Sequence, residues 1–401
     1  MYTEITRCRI CKSENLTQVL DLGEQALSGT FPKPREMVEK GPLKLVWCKD
    51  CGLLQLKETY SLPDMYGDNY GYRSGLNSSM VAHLSNKIRK LEQLVNLKST
   101  DLVIDIGSND ATSLKAYLTP CQKLGIDPTG KKFEKYYPAD VDLLPDFFSA
   151  EAYNMFYAGS KAKIITSIAM FYDLPEPTQF VKDVYSILAD DGIWHLEVAY
   201  MPTMLNNCAY DAICHEHLEF YSLTVLNNLL TKNGFKILRA EFNNINGGSI
   251  EVTVCKNTSR TWHVGRILQE EGKQGFGTIK PYVDFQDRVQ RHRTALTNLV
   301  SKLNEQGKLV FGFGASTKGN VMLQYCKFTP DDIPFIADVN PDKFGCVTPG
   351  TGIPIISEKE AREMKPDYFL VFPWHFRENI LQNRGDFKGK FIFPLPEIDV
   401  I

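Results

Sequence analysis

The sequence predicts an α/β protein built from several folded units, and three observations support this class. Residues 101–116, DLVIDIGSNDATSLKA, place a short apolar strand before a glycine turn and a helical pattern. Residues 308–320, KLVFGFGASTKGN, repeat that order, and two close pairs of cysteines lie within the first 60 residues. A length of 401 residues leaves room for about two to three domains. We therefore expect a small cysteine-bearing unit followed by two α/β units with parallel sheets.

The first glycine turn predicts a ligand site. Gly107 ends the strand and lets a ligand approach the backbone, and Ser108, Asn109 and Asp110 lead into the expected helix, whose N-terminal N–H groups would donate hydrogen bonds. Asp105 places a carboxylate beside the turn, which suits an amine or a sulfonium better than a pyrophosphate. An ordinary βαβ turn with a capping side chain is the alternative interpretation.

A second carboxylate narrows the choice of cofactor. Asp127 ends the next apolar stretch about twenty residues on, where α/β nucleotide folds place the acid that holds ribose hydroxyls. The GxGxxG pattern is absent, so S-adenosylmethionine (SAM) is favoured over NAD. Further along the chain, aromatic and strand-edge residues are candidates for the adenine pocket, although any of the apolar ones could equally belong to the core. These candidates are Phe147, Phe148, Ser167, Ala169, Met170 and Phe171.

Composition excludes several classes of protein. A hydrophobic fraction of 43%, a charged fraction of 23% and a net charge of −3 exclude a disordered chain and any strong general attraction to nucleic acid or anionic membranes. The N-terminus has no apolar signal region, and no apolar run approaches the length of a membrane span. We expect a cytoplasmic protein, either a monomer or a weak homo-oligomer.

The clustered cysteines predict a structural zinc site. Cys8 and Cys11 form one CxxC pair, and Cys48 and Cys51 form another. Two such knuckles complete the tetrahedral sulfur shell that zinc prefers, and four protein ligands leave no open position for catalysis. A redox motif is disfavoured because such motifs come singly.

Residues 60–75, YSLPDMYGDNYGYRSG, read as a loop that could close over a pocket. Its tyrosines Tyr66, Tyr70 and Tyr72 would supply hydroxyls to a polar substrate, and Arg73 would supply a cation. A plain domain linker is the alternative. A helix with one apolar face is predicted over residues 76–95.

The densest chemical cluster is residues 209–222, AYDAICHEHLEFYS. His215, Glu216 and His217 are consecutive, and Tyr221 follows shortly after them. The zincin spacing HExxH is absent, so we set a metal site aside. A histidine beside a carboxylate can abstract a proton α to a carbonyl. The alternative is a polar helix start.

The remainder predicts a hairpin, a linker and the second α/β unit. Strands FKILRAEF and SIEVTVC flank a turn that contains Asn246, and residues 257–300 read as polar and helical. In the second glycine-rich turn, Lys318 could bind a phosphate group of the substrate, and Asn320 follows two residues later as a further candidate for substrate binding. The spacing departs from the P-loop, so a plain structural turn stays open.

Seven motifs in order carry a resemblance to a known family. They are CRIC…CKDCG, DNYGYRSGLNSSM, IDIGSND, SIAMFYDLP, CHEHLEFYS, NGGSIEV and GFGASTKGN. This succession resembles the SAM-dependent sugar C-methyltransferases, which methylate C3 or C5 of nucleoside-diphosphate 4-keto-deoxysugars.

The resemblance implies a class I Rossmann-like methyltransferase domain between a zinc lobe and a Rossmann-like C-terminal lobe. The expected boundaries are 1–66 for the zinc lobe, 67–258 for the methyltransferase domain, 259–300 for a helical linker and 301–401 for the lobe that binds the nucleotide-sugar.

The same resemblance assigns roles to residues. His217 matches the general base, Glu216 would orient it, and Tyr72 or Tyr70 matches a substrate-binding hydroxyl. Some members carry a tyrosine and a histidine where this chain has Cys214 and Ala199, which leaves the donors to the keto oxygen unassigned. Remaining alternatives are C5- or O-methylation and a non-catalytic protein that binds SAM or nucleotide-sugar.

Overall fold

The computed structural model describes residues 2–61, 65, 72–157, 159–257 and 263–401. Strands within these residues form four sheets, of two, four, six and seven strands. The seven-stranded and six-stranded sheets begin with the two glycine-turn strands that the sequence singles out.

The N-terminal region is antiparallel. Its strands are β1 (Tyr2–Glu4), β2 (Leu16–Ala26), β3 (Lys40–Cys48), β4 (Leu54–Leu56) and β5 (Glu58–Tyr60). β1 pairs with β5, and the larger sheet has the order β11-β4-β3-β2, in which β11 (Glu219–Phe220) comes from the central part of the chain. The strand that follows the His-Glu-His run therefore belongs to the sheet of the N-terminal lobe.

The central sheet confirms the predicted methyltransferase architecture. Its strands are β6 (Leu102–Ile106), β7 (Gln122–Ile126), β8 (Asp142–Leu144), β9 (Ala162–Ile168), β10 (Leu188–Ala199), β12 (Lys236–Asn243) and β13 (Ser249–Cys255). They lie in the order β12-β13-β10-β9-β6-β7-β8, and β13 runs antiparallel to both of its neighbours. The chain turns in opposite directions from β6 and β9, which opens a crevice at the carboxyl ends of the strands.

The segment after β6 differs from the expectation. Instead of a helix, the chain makes a turn and a single 3-10 turn at Leu114–Ala116. Asn109 (φ 49°) and Ala111 (φ 60°) adopt left-handed backbone conformations that interrupt helical geometry. Only a short segment separates β6 from Pro120, which precedes β7, and it leaves little length for a helix.

The C-terminal sheet is a second Rossmann-like sheet. Its strands are β14 (Val310–Phe313), β15 (Ile336–Asp338), β16 (Ile355–Ser357), β17 (Tyr368–Val371), β18 (Lys390–Phe393) and β19 (Asp399–Val400). The order is β16-β15-β14-β17-β18-β19, parallel except for β19.

The α-helices of the described residues are α1 (Ser78–Val95), α2 (Gly130–Phe133), α3 (Ala150–Phe156), α4 (Pro177–Ile187), α5 (Met201–Asn206), α6 (Leu223–Lys232), α7 (Val264–Gln274), α8 (Lys280–Glu305), α9 (Thr317–Cys326), α10 (Glu358–Glu363) and α11 (Arg377–Gln382). None of these helices is both long and apolar enough to cross a membrane.

Helix α8 joins the outer two units. It lies in the segment read as a linker, and its apolar face is buried in one core with side chains from β2, β3 and the C-terminal sheet. Arg288 donates to the carbonyl oxygen of Leu205 at 2.6 Å, and His292 contacts the Tyr210 hydroxyl at 3.2 Å. The helix therefore packs as part of the fold and also holds the segment that precedes the His-Glu-His run.

Glu271 on α7 caps a neighbouring helix. Its carboxylate accepts the backbone N–H groups of Leu223 and Thr224, at 2.6 and 2.7 Å, where α6 begins. It also accepts the Tyr200 hydroxyl at 2.6 Å, and only 2% of Glu271 is exposed. A buried carboxylate with this many donors stabilises a helix N-terminus.

Replacing Glu271 by Ala is expected to lower the free energy of unfolding by roughly 2–4 kcal/mol, because buried donors lose their acceptor. Urea unfolding followed by circular dichroism measures this change. Glu270→Ala is the matched control, since Glu270 lies on the same helix with its side chain 52% exposed. Equal stabilities of the two variants would contradict the capping role.

Candidate active site

The four N-terminal cysteines form the expected metal cluster. The sulfur atoms of Cys8, Cys11, Cys48 and Cys51 all lie within 4.8 Å of one another, and two of the pairs are 3.5 Å apart. Sulfurs at the corners of a zinc tetrahedron are about 3.8 Å apart for Zn–S bonds near 2.3 Å. The donor set and its spacing therefore fit zinc.

Each cysteine pair is shaped by a tight turn. The Lys12 N–H donates to the Cys8 carbonyl at 3.0 Å, and the Gly52 N–H donates to the Cys48 carbonyl at 2.9 Å. Lys12 (φ 59°) and Gly52 (φ 81°) adopt left-handed conformations directly after the second cysteine of each pair. These turns direct both sulfurs of a pair to one point.

A cavity of about 380 Å³ occupies the crevice at the carboxyl ends of the central strands. Many of the residues predicted from the sequence line it, and most come from β6, the turn after it and the ends of β7 and β9. The predicted residues in its wall are Tyr72, Asp105, Gly107, Ser108, Asn109, Asp127, Phe147, Phe148, Ala169 and Asn246. Met170 also lines the cavity, whereas Phe171 is fully buried against Trp194 in the core.

Burial governs the charge of Asp105. Its carboxyl accepts the Thr166 hydroxyl at 2.6 Å, and only 3% of the residue is exposed. Burial raises the pKa of Asp105 to about 7, although hydrogen bonds from Thr166 and Ser113 oppose the shift. A cation in the cavity would favour the ionised form, because an opposite charge repays part of the desolvation cost.

Asp127 fixes the glycine turn from its neighbouring strand. One carboxylate oxygen accepts the Asn109 N–H at 2.7 Å, and the other accepts the Thr129 N–H and hydroxyl. Asn109 in turn accepts the Ser74 N–H and donates to the carbonyl oxygen of Tyr72. The two side chains therefore tie residues 72–75, which we call the entrance segment, to the cavity wall.

Two of the expected cofactor residues lie outside the cavity wall. Asp110 accepts the Gly75 N–H at 3.0 Å and lies 3.7 Å from the Arg73 guanidinium, so it holds the entrance segment in place. Ser167 is fully buried and accepts the indole N–H of Trp194 at 3.2 Å. The Asp110 carboxylate and the Ser167 hydroxyl therefore make their hydrogen bonds within the protein, although both residues lie near strand ends.

Glu197 was missed by the sequence reasoning. It lies near the end of β10, lines the cavity and accepts hydrogen bonds from His83, Lys87 and Asn243 at 2.7–3.0 Å. Burial alone would raise its pKa, but His83 and Lys87 lower the pKa to about 2. The signal was an acidic residue at the end of the strand GIWHLEV, next to the crevice.

His217 is held as one tautomer. Its Nδ1 lies 2.8 Å from the carbonyl oxygen of Ala212, which can only accept, so Nδ1 carries the proton. Nε2 then keeps a lone pair and makes no hydrogen bond within the described residues. The ring packs edge-on against Tyr172 at 4.6 Å, next to the cavity residue Asp173. Burial lowers the pKa of His217 to about 4, so the ring is neutral at pH 7.

The sequence expected Glu216 to orient this ring, and the contacts differ. The backbone carbonyl of Ala212 makes the orienting hydrogen bond. The Glu216 carboxyl instead occupies the space beside Gly29 of the N-terminal lobe, where any side-chain carbon would overlap it. Burial raises the pKa of Glu216 to about 7. Adjacent residues of one turn thus face different units.

His215 lies outside the cavity wall. It is 1% exposed, and its ring packs edge-on against Tyr60 of the N-terminal lobe at 4.7 Å. Its Nδ1 lies 3.5 Å from the Ser28 hydroxyl. His215 therefore contributes to the contact between the His-Glu-His segment and the N-terminal lobe.

The expected substrate residues are divided between several places. Lys318 donates to the Asn246 carbonyl at 2.7 Å, and Asn320 donates to the Ser28 carbonyl at 2.8 Å, which ties the C-terminal lobe to the N-terminal lobe. Tyr221 is fully buried against Phe171.

The remaining predicted substrate residues belong to the entrance segment. Arg73 lies 4.3 Å over the ring of Tyr136, and Tyr72 is 52% exposed. Tyr66 and Tyr70 lie outside the described residues.

Three further residues were not predicted. Trp374 donates its indole N–H to Asp211 at 2.8 Å, and His375 follows Trp374 directly. Asp211 lies within the cluster 209–222, whereas Trp374 and His375 are far from it in sequence, and no local motif marks them.

Comparison with known proteins agrees with this arrangement. Three family models match in order: a zinc binding domain over residues 8–66, a methyltransferase domain over 80–240 and a C-methyltransferase C-terminal domain over 244–396. The C-methyltransferase NovU of Streptomyces niveus is 29% identical over 412 residues, which cover 99% of this chain and 97% of that protein.

Two solved structures each match less than half of this chain. A SAM-dependent methyltransferase from Clostridium acetobutylicum ATCC 824 is 12% identical, with 44% of this chain and 92% of that chain covered and a TM-score of 0.36. A protein from Bacillus halodurans C-125, described as a methyltransferase, is 15% identical, with coverages of 43% and 100% and a TM-score of 0.35.

The sheet order, the crevice and the central family model define a class I SAM-dependent methyltransferase. More closely, it is a SAM-dependent C-methyltransferase related to NovU, with a zinc-binding domain before the catalytic domain and a C-methyltransferase C-terminal domain after it. SAM and zinc are accordingly its cofactors. The resemblance inferred from the seven motifs is confirmed.

SAM affinity is expected to depend on the charge of Asp105. Because the pKa of this carboxyl is about 7, affinity should be constant well above pH 7 and fall below it, by up to about tenfold per pH unit. Asp105→Asn should bind SAM more weakly and remove this dependence. Calorimetric titration between pH 6 and 8.5 measures both effects.

Asp191→Asn is the control for that titration, since the Asp191 side chain is 80% exposed and lies at the surface. It should keep the wild-type profile. A wild-type affinity that is equal at pH 6 and pH 8 would refute the role of Asp105.

Removing zinc is expected to destabilise the N-terminal lobe, because the metal joins its two cysteine turns. Cys48→Ser should lose most of the bound zinc, measured by mass spectrometry of the metal, and melt several degrees lower. Cys121→Ser, which changes a cysteine outside the cluster, should retain one zinc per chain. Full zinc content in Cys48→Ser would contradict the assignment.

Proposed function

We propose that this C-methyltransferase acts on a nucleoside-diphosphate 4-keto-6-deoxyhexose and methylates C3 by way of an enolate. One observation carries the proposal. The unbonded Nε2 of His217 belongs to a neutral imidazole beside the SAM cavity, at the junction with the C-terminal lobe.

The reaction type follows from carbon acidity. Methyl transfer to carbon requires a carbon nucleophile, and a sugar C–H bond is too weak an acid unless an adjacent ketone stabilises the carbanion. A 4-keto sugar meets this requirement at C3 and C5. The family resemblance favours C3.

His217 has the features of the base for this step. Its Nε2 accepts the C3 proton, and the resulting imidazolium keeps its Nδ1–H bond to the Ala212 carbonyl. The electron pair of the C–H bond enters the enolate. The raised pKa of Glu216, to about 7, lets this neighbouring carboxyl exist as acid or anion near neutrality.

SAM supplies an electrophilic methyl group on a sulfonium. In this chain, Asp105 is suited to its positive charge, and Asp127 with the cavity aromatics Phe147 and Phe148 is suited to its adenosine. For the nucleotide of the substrate, the glycine-rich turn of the C-terminal lobe is the candidate. Four of the ten cysteines form the zinc cluster and none is paired in a disulfide, which suits a reducing compartment and supports a cytoplasmic location.

His217→Gln is expected to slow proton exchange at C3 by about 10²-fold or more, because the amide cannot act as the base. SAM affinity should stay within about twofold, since His217 lies outside the cofactor wall. Incubation with a nucleoside-diphosphate 4-keto-6-deoxyhexose in deuterated water, followed by proton NMR, measures the exchange.

The same experiment separates the alternatives. Exchange at C5 would assign a C5-methyltransferase, and methyl transfer to oxygen without exchange would assign an O-methyltransferase. Tight SAM binding with neither exchange nor transfer would indicate a non-catalytic protein. Wild-type exchange in His217→Gln would remove the base from this position.

A further inference from the structure

His375 is a second imidazole at the contact between the C-terminal lobe and the segment that carries the proposed base, His217. We call this contact the junction. It belongs to the 3-10 turn Trp374–Phe376 that follows β17. Trp374 donates its indole N–H to Asp211 at 2.8 Å, and the next residue, Ala212, accepts the Nδ1–H of His217. Asp211 and Ala212 are adjacent in one turn. Asp211 holds Trp374, the residue before His375, and Ala212 holds His217.

Lys318 joins the same group from α9. Its ammonium donates to the carbonyl oxygen of Asn246, which lines the SAM cavity. At Gly247, the next residue, a side-chain carbon would lie 3.3 Å from the Trp374 ring and 4.0 Å from the Cβ of His375. The hairpin turn, Lys318 and His375 are thus packed around one point beside the cofactor crevice.

Electrostatics agree with this placement. Burial lowers the pKa of His375 to about 3, and the Lys318 ammonium lowers it further in the same direction. The same ammonium opposes protonation of His217. Lys318 therefore acts on both imidazoles, and His375 remains neutral throughout the physiological range.

The two rings are held as complementary tautomers. His217 has its proton on Nδ1 and a lone pair on Nε2. In His375, Nδ1 is buried and has no hydrogen-bond partner among the described residues, so a proton there would be a buried unpaired donor. The ring proton of His375 therefore sits on Nε2, where it can be donated to a ligand.

Two positions do not supply the donors to the ketone oxygen that the family resemblance leads one to expect. Cys214 is 1% exposed, and Ala199, at the end of β10, carries no polar group. These are the positions at which the family resemblance expected a tyrosine and a histidine.

We propose that Lys318 and His375 of the C-terminal lobe bind the ketone oxygen of the substrate and stabilise its charge during proton removal, an inference that rests on the proposed function. The proton passes from carbon to Nε2 of His217. The C–H electron pair forms the carbon–carbon double bond of the enolate, and the carbonyl π pair moves to the oxygen. The Lys318 ammonium and the Nε2–H of His375 then face a full negative charge.

The test compares single variants in the deuterium-exchange assay. His375→Leu and Lys318→Met should each lower the exchange rate at saturating substrate by about 10²-fold, with KM changed less than about fivefold, because the charge develops after binding. His375→Gln should retain activity within about tenfold of wild type, since its amide N–H reaches the position of Nε2. Lys359→Met, which removes an exposed charge from the same lobe, should leave exchange unchanged.

Each outcome decides the proposal. Exchange at the wild-type rate in His375→Leu overturns it. A rise in KM alone for Lys318→Met, with weaker binding of the nucleoside diphosphate lacking sugar, assigns Lys318 to phosphate binding and also overturns it. Loss of exchange in both variants, with rescue by His375→Gln and unchanged SAM affinity and melting temperature, supports it. Absence of exchange in the wild-type protein overturns the proposed function itself.

Discussion

The geometry of the site depends on how the short segment from Tyr210 to Tyr221 is anchored. At one end, Asp211 accepts the indole N–H of Trp374 from the C-terminal lobe. At the other end, β11 pairs with β4 in the sheet of the N-terminal lobe, and Tyr221 bridges to Tyr200 at the end of β10. A segment with little regular structure of its own is thus fixed by contacts with the N-terminal lobe, the central sheet and the C-terminal lobe, and the hydrogen bond from His217 to Ala212 lies inside it. The position of the base is therefore a property of the whole assembly.

Burial supplies the chemistry that this segment needs. Removing water disfavours charge on any isolated group, so the pKa values of the carboxyls Asp105 and Glu216 rise to about 7, and those of His217 and His375 fall to about 4 and 3. The histidines are consequently neutral at pH 7, which leaves His217 the lone pair that a base requires. Because the pKa values of the two carboxyls are about 7, a small change in their surroundings alters their charge near neutral pH.

The glycine turn after β6 shows both the reach and the limit of sequence reasoning. Local apolarity marked β6 and its carboxyl edge, and the side chains that line the cavity follow because parallel strands end at the same edge of a sheet. The helix expected after the turn is absent, because Asn109 and Ala111 adopt left-handed conformations stabilised by hydrogen bonds to Asp127, Ser108 and the entrance segment. Such hydrogen bonds join residues distant in sequence and leave no periodic pattern.

The sequence by itself determined the cysteine spacing, several strands of both α/β sheets and the residue types available at the site, because these depend on short-range pattern and on the chemistry of each side chain. Only the tertiary structure decided which groups meet. The Glu216 carboxyl lies beside Gly29, and the carbonyl of Ala212 sets the tautomer of His217. His375 belongs to the C-terminal lobe and is more than 150 residues from His217 in the chain. Hydrogen-bond partners and burial are set by packing between lobes, and packing is not encoded in any one stretch.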